Sequence, residues 1–178
     1  MNRTRLPRRT LLVGLGLLSI QGLLAACSRT AAVAIAPADF DPATACDLDG
    51  MLLADYPGPK AQIFFGDQTR PVWYCDTVEM FSTLLRPEQV RKVTAVYTQD
   101  MALADWGKPH GHWFDARTGL YVVGSRRRGS MGPTIAGFQH EDAAKKFADA
   151  YGGRVVRFAD VQPDMVDLSG GAMHDHRM

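Results

Sequence analysis

The sequence predicts an α+β fold made of two ββαβ-type repeats packed into one compact body. Two observations support this class: apolar, β-branched and aromatic runs between turn residues predict strands, and each half contains one amphipathic segment with helix end signals. The order strand, strand, helix, strand occurs twice, in units of about residues 45–105 and 112–165, which together form a domain of residues 45–165. The units share this pattern more than they share residues, so a duplication is a hypothesis.

The first unit opens with a hairpin, in which KAQIFF and PVWYC are strands joined by the turn GDQTR. DTVEMFSTLL predicts a helix, because Asp76 can cap it and Glu79 stands at the capping-box position. RKVTAVYTQD (91–100) predicts the strand that completes the unit. The apolar residues of the helix fall on one face: Val78, Phe81, Leu84 and Leu85.

The second unit repeats this order. GLYVVGS and PTIAGF predict two strands around an arginine-rich turn, HEDAAKKFADAYGG predicts a helix that ends at a glycine, and RVVRFADV (154–161) predicts the last strand. His140 stands at the start of this helix, either facing solvent or as a cap. A loop-rich connector (101–119) joins the units, and connectors of this length usually carry function.

The first 26 residues (1–26) have the layout of an export signal: a basic start, an apolar run and small residues before Cys27. LAAC (24–27) resembles a bacterial lipobox, in which Cys27 is lipidated and becomes the first residue of the mature protein. A retained transmembrane anchor is the alternative, although the apolar run is shorter than the roughly 20 residues that span a bilayer. Ser28 after the cysteine indicates the outer membrane, and residues 27–44 predict a lipidated tether.

Removing the signal takes away four of the 20 basic residues and none of the 19 acidic ones, so the formal net charge changes from +1 to −3. A mildly acidic chain argues against nucleic-acid binding, which needs a basic patch. The remaining 152 residues are enough to bury one core without crosslinks, and we expect a monomer. Cys46 and Cys75 remain, in a compartment where disulfides persist. A disulfide, buried free thiols and metal ligation all stay open for them.

Several methionines stand in predicted loops, where an apolar side chain is uncommon. Met51 follows CDLDG, Met101 follows YTQD, and Met131 lies in the glycine turn GSMGP. Thioether and thiolate donors select Cu(I), and copper accepts imidazole as well, so this composition points to copper. His112 is the imidazole candidate, with an oriented core histidine beside Trp113 as the alternative. For Met131, the alternative is a side chain that folds back onto its own domain.

Residues 166–178 predict a flexible tail rich in histidine and methionine. Two histidines separated by one residue chelate Cu(II), Zn(II) or Ni(II) with little discrimination, so His174 and His176 form a possible secondary metal site. A disordered polar tail without metal is the alternative. The candidate donors of the tail are Met173, His174, His176 and Met178.

Six segments of the chain resemble the NosL family: DGMLLADYPGPKAQIFF, WYC, YTQDM, HWFDARTGLYVVGS, GSMGP and the F..A.GG end of the second helix. The resemblance covers about residues 46–160. NosL proteins are lipoproteins encoded with the machinery for nitrous oxide reductase and regarded as copper chaperones for that enzyme. The resemblance implies a fold of two ββαβ-type units that is similar to the organomercurial lyase fold.

From this resemblance we expect a non-enzymatic carrier of Cu(I), lipid-anchored on the periplasmic side, that delivers copper for assembly of the copper sites of nitrous oxide reductase. It also implies docking on the membrane-bound maturation complex of that enzyme. Many members have Cys-x-x-Cys-Gly-Met at the start of the domain, where this chain has Asp49 in place of the second cysteine. The expected ligand set is therefore Met131, Met51 and His112, with Cys46 as a possible fourth ligand and Met101 in reserve.

Two other functions stay open. An organomercurial-lyase-like thiol enzyme would use Cys46 and Cys75, but its chemistry needs activated thiolates near an acid, which two cysteines 29 positions apart do not establish. A purely structural envelope lipoprotein would bind no metal.

Overall fold

The computed structural model describes residues 35–66, 68–166 and 168. The predicted signal peptide, the lipidation site Cys27 and the first part of the tether lie outside these residues. The four candidate donors of the tail lie outside them as well: Met173, His174, His176 and Met178. Within the described ranges, none of the helices is both long enough and apolar enough to cross a membrane.

The described ranges contain two α-helices and antiparallel strands in three groups, and the predicted α+β class is confirmed. The helices are α1 (Thr77–Leu85) and α2 (Glu141–Tyr151). The strands are β1 (Ala61–Phe65), β2 (Val72–Tyr74), β3 (Val93–Gln99), β4 (Trp113–Asp115), β5 (Leu120–Val123), β6 (Arg128–Gly129), β7 (Gly132–Pro133), β8 (Ala136–Phe138) and β9 (Arg154–Arg157).

The two units arrange their strands in the same way. The first sheet has the order β2-β1-β3-β4 and the second has the order β8-β5-β9, so the first strand of each unit lies between two others. In both units the strand that follows the helix pairs with this middle strand. The predicted order strand, strand, helix, strand is therefore present in both halves, with β6 and β7 as an additional small hairpin in the second.

Helix α1 begins as its sequence predicts. Asp76 accepts a hydrogen bond from the Val78 N–H at 3.0 Å, and the Glu79 side chain accepts from the Asp76 N–H at 3.3 Å, which completes a capping box. The apolar face of the helix packs into the main core through Val78, Phe81, Leu84 and Leu85. The capping box matters for the site because it fixes the Glu79 carboxylate at the first turn of the helix.

The main core joins the two units. Phe81 of α1 meets Tyr121 of β5 edge to face with ring centroids 4.9 Å apart, and it lies 5.2 Å from the ring of Phe158. Residues of β1, β3 and β9 belong to the same buried cluster. A second buried cluster between α2 and the second sheet contains Phe138 and Phe147. Burial of apolar area in a core shared by both units holds the two sheets together.

Residues that the sequence assigns to the tether pack on the folded domain. Phe40 is buried and meets Trp73 edge to face with ring centroids 6.1 Å apart. The Gln62 side-chain amide of β1 bonds both backbone groups of Ala38, at 2.8 and 2.9 Å. The described part of the segment expected to be a tether (35–44) therefore belongs to the folded body, because it covers the outer side of the first sheet.

Three further details differ from the sequence prediction. The connector contains β4, which adds a fourth strand to the first sheet beside β3. The last strand ends at Arg157, and a short 3₁₀ helix, Phe158–Asp160, follows it. Val166 and Leu168, which the sequence assigns to the tail, pack against the main core. The sequences of these segments show no regular alternation of apolar and polar residues, which is the signal that marks a strand. Tertiary packing decides their structure.

Replacing Phe81 with alanine tests whether one core joins the units. We expect Phe81→Ala to lower the free energy of unfolding by about 3–5 kcal/mol, because it removes a fully buried ring that contacts both units. Val90→Ala, at a side chain that is 89% exposed, is the control and should change it by less than about 0.5 kcal/mol. Urea unfolding followed by tryptophan fluorescence measures both. Two separate transitions in the wild type would contradict a shared core.

Candidate metal centre

Three chain segments meet around two cysteine side chains. Cys75 lies between the end of β2 and the start of α1, Cys46 precedes the turn 47–50, and the β6–β7 hairpin approaches Cys75. Backbone hydrogen bonds close the turn: the Cys46 N–H donates to the Met51 carbonyl at 2.8 Å, and the Gly50 N–H donates to the Cys46 carbonyl at 2.9 Å. Gly50 has a φ of 79°, a conformation that favours glycine.

The two thiols are free, buried and close together. One ligand atom from each of Cys46, Asp49, Cys75 and Glu79 lies within 4.8 Å of the other three. Both sulfurs contact the same Glu79 oxygen, Oε2: the Cys46 Sγ at 3.4 Å and the Cys75 Sγ at 3.2 Å. The Cys75 Sγ also lies 3.9 Å from Oδ2 of Asp49. Of the three states left open by the sequence, the structure therefore has free thiols positioned as a pair.

The Glu79 carboxyl group organises the pair. Its Oε2 also accepts a hydrogen bond from the Cys75 N–H at 3.0 Å, while its Oε1 is buried with no hydrogen-bond partner among the described residues. Burial raises the pKa of Glu79 to about 7. The contact with Cys46, then burial, and then the charge of Glu79 raise the pKa of Cys75 well above its ordinary value. Cys75 is therefore a neutral thiol at neutral pH until a metal displaces its proton.

A lysine lies beneath the cysteines. The Lys60 ammonium is fully buried and donates to the backbone carbonyls of Pro57 and Cys75, at 3.1 and 3.0 Å. Burial lowers the pKa of Lys60, and the neighbouring acidic groups Asp76, Cys75 and Glu79 oppose that change when they are ionised. A buried cation next to a set of acidic groups compensates part of their charge, which includes any charge that the sulfurs acquire when they deprotonate.

Two of the predicted methionine donors pack against the buried cluster that contains both cysteines. Met51 and Met131 are half-buried and pack against the cluster of buried residues that contains Cys46 and Cys75. Met131 occupies the two-residue turn of the β6–β7 hairpin, and its neighbour Ser130 bonds the Cys75 carbonyl at 2.6 Å. Three members of the predicted ligand set therefore belong to or pack against one cluster of side chains: Met131, Met51 and Cys46.

The other predicted donors lie elsewhere. His112 is exposed, has a φ of 54°, and is not a member of the group of four converging donors. The neighbouring His110 contacts Asp39 at 3.3 Å. Met101 is buried in the second cluster, against the residues of α2 and β8, and packs there as a core side chain. His140 is the exposed residue before α2 and makes no side-chain capping bond.

Three residues of the centre were not in the predicted ligand set: Cys75, Glu79 and Asp49. The capping box already explains a glutamate at position 79, so the sequence does not show that Glu79 also contacts the sulfurs. Cys75 stands 29 positions from Cys46, and only the fold places them side by side. The segment CDTVE could have indicated this contact, because residues four positions apart at the start of a helix, here Cys75 and Glu79, lie on the same face.

The donor set favours a soft metal ion. Two thiols and two thioethers suit Cu(I), whereas a site for a hard ion such as Mg²⁺ or Ca²⁺ would be built from oxygen atoms alone. The carboxyl groups of Asp49 and Glu79 lie beside the sulfur atoms. Because burial raises the pKa of Glu79 to about 7, its ionised form can accept a proton that a thiol releases on metal binding.

Comparisons with known proteins agree on one family. The sequence profile of the NosL family matches residues 37–166. The copper-binding lipoprotein NosL of Stutzerimonas stutzeri is 36% identical over 145 residues, which cover 79% of this chain and 75% of that protein. The copper-binding lipoprotein NosL of Achromobacter cycloclastes is 39% identical over 168 residues, which cover 92% and 84%. The crystal structure of the copper chaperone NosL from Shewanella denitrificans matches 73% of this chain and 98% of that chain, with 37% identity and a TM-score of 0.70.

Alkylation tests the state of the cysteines. In the metal-free protein kept without oxygen, we expect Cys46 and Cys75 to react slowly with iodoacetamide, because both side chains are buried and burial raises the pKa of Cys75. After unfolding, both should be labelled completely as separate thiols. Mass spectrometry of the digested protein measures each site. Fast labelling of the folded protein, or a disulfide-linked peptide in the untreated sample, would contradict this description.

The pKa of Glu79 predicts how stability depends on pH. Native Glu79 keeps its proton up to about pH 7, whereas the unfolded side chain loses it near its ordinary value of 4.5. The stability of the metal-free protein should therefore fall as pH rises from about 4.5 to about 7, by roughly 3 kcal/mol for this group. A glutamine at position 79 can retain the capping box but does not titrate. Glu79→Gln should therefore remove the part of the pH dependence of stability that Glu79 contributes. Urea unfolding at several pH values compares the two proteins, and parallel curves would show that Glu79 titrates normally.

Proposed function

The chain belongs to the NosL family, and we propose that it binds Cu(I) between its cysteine pair and methionine thioethers and carries it outside the cytoplasm. The observation that carries this proposal is a pair of free, buried thiols in a cluster against which two half-buried methionines pack. The named relatives are copper-binding lipoproteins, and the related crystal structure is that of a copper chaperone. A carrier function requires no chemical conversion of a substrate.

The proposed ligands are the sulfurs of Cys46, Cys75 and Met131, with Met51 at the outer edge. Thiolates supply affinity and thioethers supply selectivity for the monovalent ion. When Cu(I) binds, each ligating thiol releases a proton, and the Glu79 carboxyl group is in contact with both sulfurs to receive one. His112, Met101 and the two tail histidines stay predictions as further ligands.

The outer wall of the centre supports release. The turn 47–50 is exposed, and Met51 and Met131 are half-buried, so the sulfurs are separated from solvent by a thin layer. Neutral thioethers can be exchanged one at a time when ligands of an acceptor enter, without any change in protonation. A closed cage of four thiolates would retain copper too long for a carrier.

The destination and location of the protein are part of the proposal. We expect the copper to be used for assembly of the copper sites of nitrous oxide reductase, with docking on the membrane-bound maturation complex of that enzyme. Lipidation at Cys27 would hold the carrier on the periplasmic side, at the outer membrane, and two or more acyl chains anchor a protein stably. The names of the relatives as lipoproteins support the anchor.

A second candidate function is favoured by one observation: the thiol pair lies beside the carboxyl groups of Asp49 and Glu79. Such a site could cleave phenylmercury, with the carbon–mercury bond broken by a proton, the mercury kept by two thiolates and the second thiol proton released to solvent. Incubation with phenylmercury acetate distinguishes the functions. A carrier binds the compound without producing benzene, whereas release of one benzene per protein, measured by gas chromatography, would favour the enzyme.

Competition for copper tests the proposal. The full chain in detergent is titrated anaerobically with Cu(I) in the presence of a chromogenic chelator. We expect Cys46→Ser, Cys75→Ser and Met131→Leu each to weaken Cu(I) binding by about tenfold or more, the scale on which metal sites respond to lost interactions. Met165→Leu is the matched control, because Met165 packs against the main core, and it should bind as the wild type does. Cu(I) binding that none of the three variants weakens would contradict the proposed ligands, and no binding by the wild type would contradict the function.

A further inference from the structure

The hydrogen bonds that hold the hairpin of Met131 to the cysteine segment come from neighbouring side chains and from the backbone. Strands β6 and β7 pair only through Arg128 with Pro133 and Gly129 with Gly132, so the turn residues Ser130 and Met131 project from a very short ladder. A two-strand ribbon of this length does not fix its own tip. The position of the Met131 thioether therefore depends on the contacts that the hairpin makes with the rest of the protein.

Two hydroxyl groups, one on each side of Met131, reach Asp76. The Thr134 hydroxyl donates to Oδ1 of Asp76 at 2.6 Å, and the Ser130 hydroxyl lies 3.4 Å from Oδ2. The same carboxylate caps α1 through the Val78 N–H at 3.0 Å. Asp76 is fully buried. Burial raises its pKa, and hydrogen bonding from Thr134, Val78 and the Met131 backbone opposes that rise, as does the charge of Lys60. One carboxylate thus joins the start of the helix to the hairpin.

Ser130 and Thr77 complete the connection. The Ser130 hydroxyl contacts the Cys75 carbonyl at 2.6 Å and the Cys75 Sγ at 3.2 Å, which places the residue before Met131 directly on the cysteine. The Thr77 hydroxyl donates to the Ile135 carbonyl, just after the hairpin. Two successive residues at the start of α1, Asp76 and Thr77, therefore hold both the tip and the return strand of the hairpin.

The glycines of GSMG allow this close approach. A Cβ atom at Gly129 would lie 2.1 Å from Oδ2 of Asp76 and 2.9 Å from the Cβ of Thr134. On the other side, a Cβ at Gly58 would lie 2.7 Å from the Cα of Gly129. These distances leave no room for a side chain at either position. The sequence around Met131 is thus specialised to seat the hairpin on Asp76.

We infer that Asp76 is a positioning residue for copper binding, which holds the Met131 thioether against the cysteine pair through Thr134 and Ser130. This inference rests on the proposed function. Asp76 does not touch the metal in this scheme; it acts through the hairpin. Met131 contributes to Cu(I) affinity only while the hairpin is seated, so the effects of changing Asp76 and Met131 must depend on each other.

A double-mutant cycle tests this dependence. Asp76→Ser keeps an N-cap side chain for α1 but is too short to hold the hairpin hydroxyls. Cu(I) affinities are measured by chelator competition on the full chain for the wild type, Asp76→Ser, Met131→Leu and the double variant. We expect Met131→Leu to weaken binding about tenfold in the wild type and by less than about twofold in the Asp76→Ser background, a coupling of the size found for residues in one network.

Two further variants separate positioning from folding. Asp76→Asn retains an acceptor for Val78 and Thr134 and should restore the Met131 dependence. Thr134→Val removes the shortest hairpin contact of Asp76 without touching the cap of α1, and it should reduce the Met131 dependence even if Asp76→Ser fails to fold. A merely structural role would lower thermal stability but leave the Met131 effect equal in every folded background.

The outcomes distinguish this inference from the proposed function. Equal effects of Met131→Leu in the wild-type, Asp76→Ser and Thr134→Val backgrounds would overturn the positioning role while the copper site stands. No effect of Met131→Leu in the wild type would overturn it as well. If the wild type shows no Cu(I) binding, the proposed function itself is overturned. Asp76 is supported as the positioning residue if the effect of Met131→Leu on Cu(I) affinity is lost in the Asp76→Ser or Thr134→Val background and is recovered in the Asp76→Asn background.

Discussion

Two buried thiols share one carboxyl group, and this arrangement fixes how the surrounding segments meet. Oε2 of Glu79 is contacted by both sulfurs and by the backbone N–H groups of Cys75 and Asp76. A buried oxygen of this kind is costly unless it is hydrogen-bonded, so the four contacts fix the end of β2, the start of α1 and the loop at Cys46 relative to one another. The same side chain that caps the helix therefore assembles the sulfur pair.

The centre combines a rigid base with a thin cover. Its base is α1, which packs into the core shared by both units, and the buried Lys60 ammonium beneath Cys75. Its cover consists of the exposed turn 47–50 and the half-buried side chains of Met51 and Met131. Metal ligands held on regular elements give a defined geometry, whereas ligands on short loops can move away. A carrier needs both properties, because it must select copper and later give it up.

The parts of this structure that depend on local sequence could be predicted. The capping box at Asp76 and Glu79 and the strands around α1 follow from residue type and spacing, and so does the choice of Met51 and Met131 as unusual loop methionines. The pairing of Cys46 with Cys75 could not, because a contact between residues 29 positions apart is decided by how β2 and the preceding loop pack. For the same reason, the packing of Phe40 and the strand β4 were missed. The absence of a second cysteine at Asp49 suggested a weaker thiol site, whereas the fold supplies that thiol from Cys75.

The coordination shell of bound copper shows whether the two thiols are its ligands. X-ray absorption at the copper K edge, on the full chain loaded with one equivalent of Cu(I), reports which elements are bound. A shell made mainly of sulfur, which loses sulfur when Cys46 and Cys75 are both replaced by serine, is the predicted result. A shell dominated by nitrogen and oxygen, and unchanged by those replacements, would contradict a copper site built on the thiol pair.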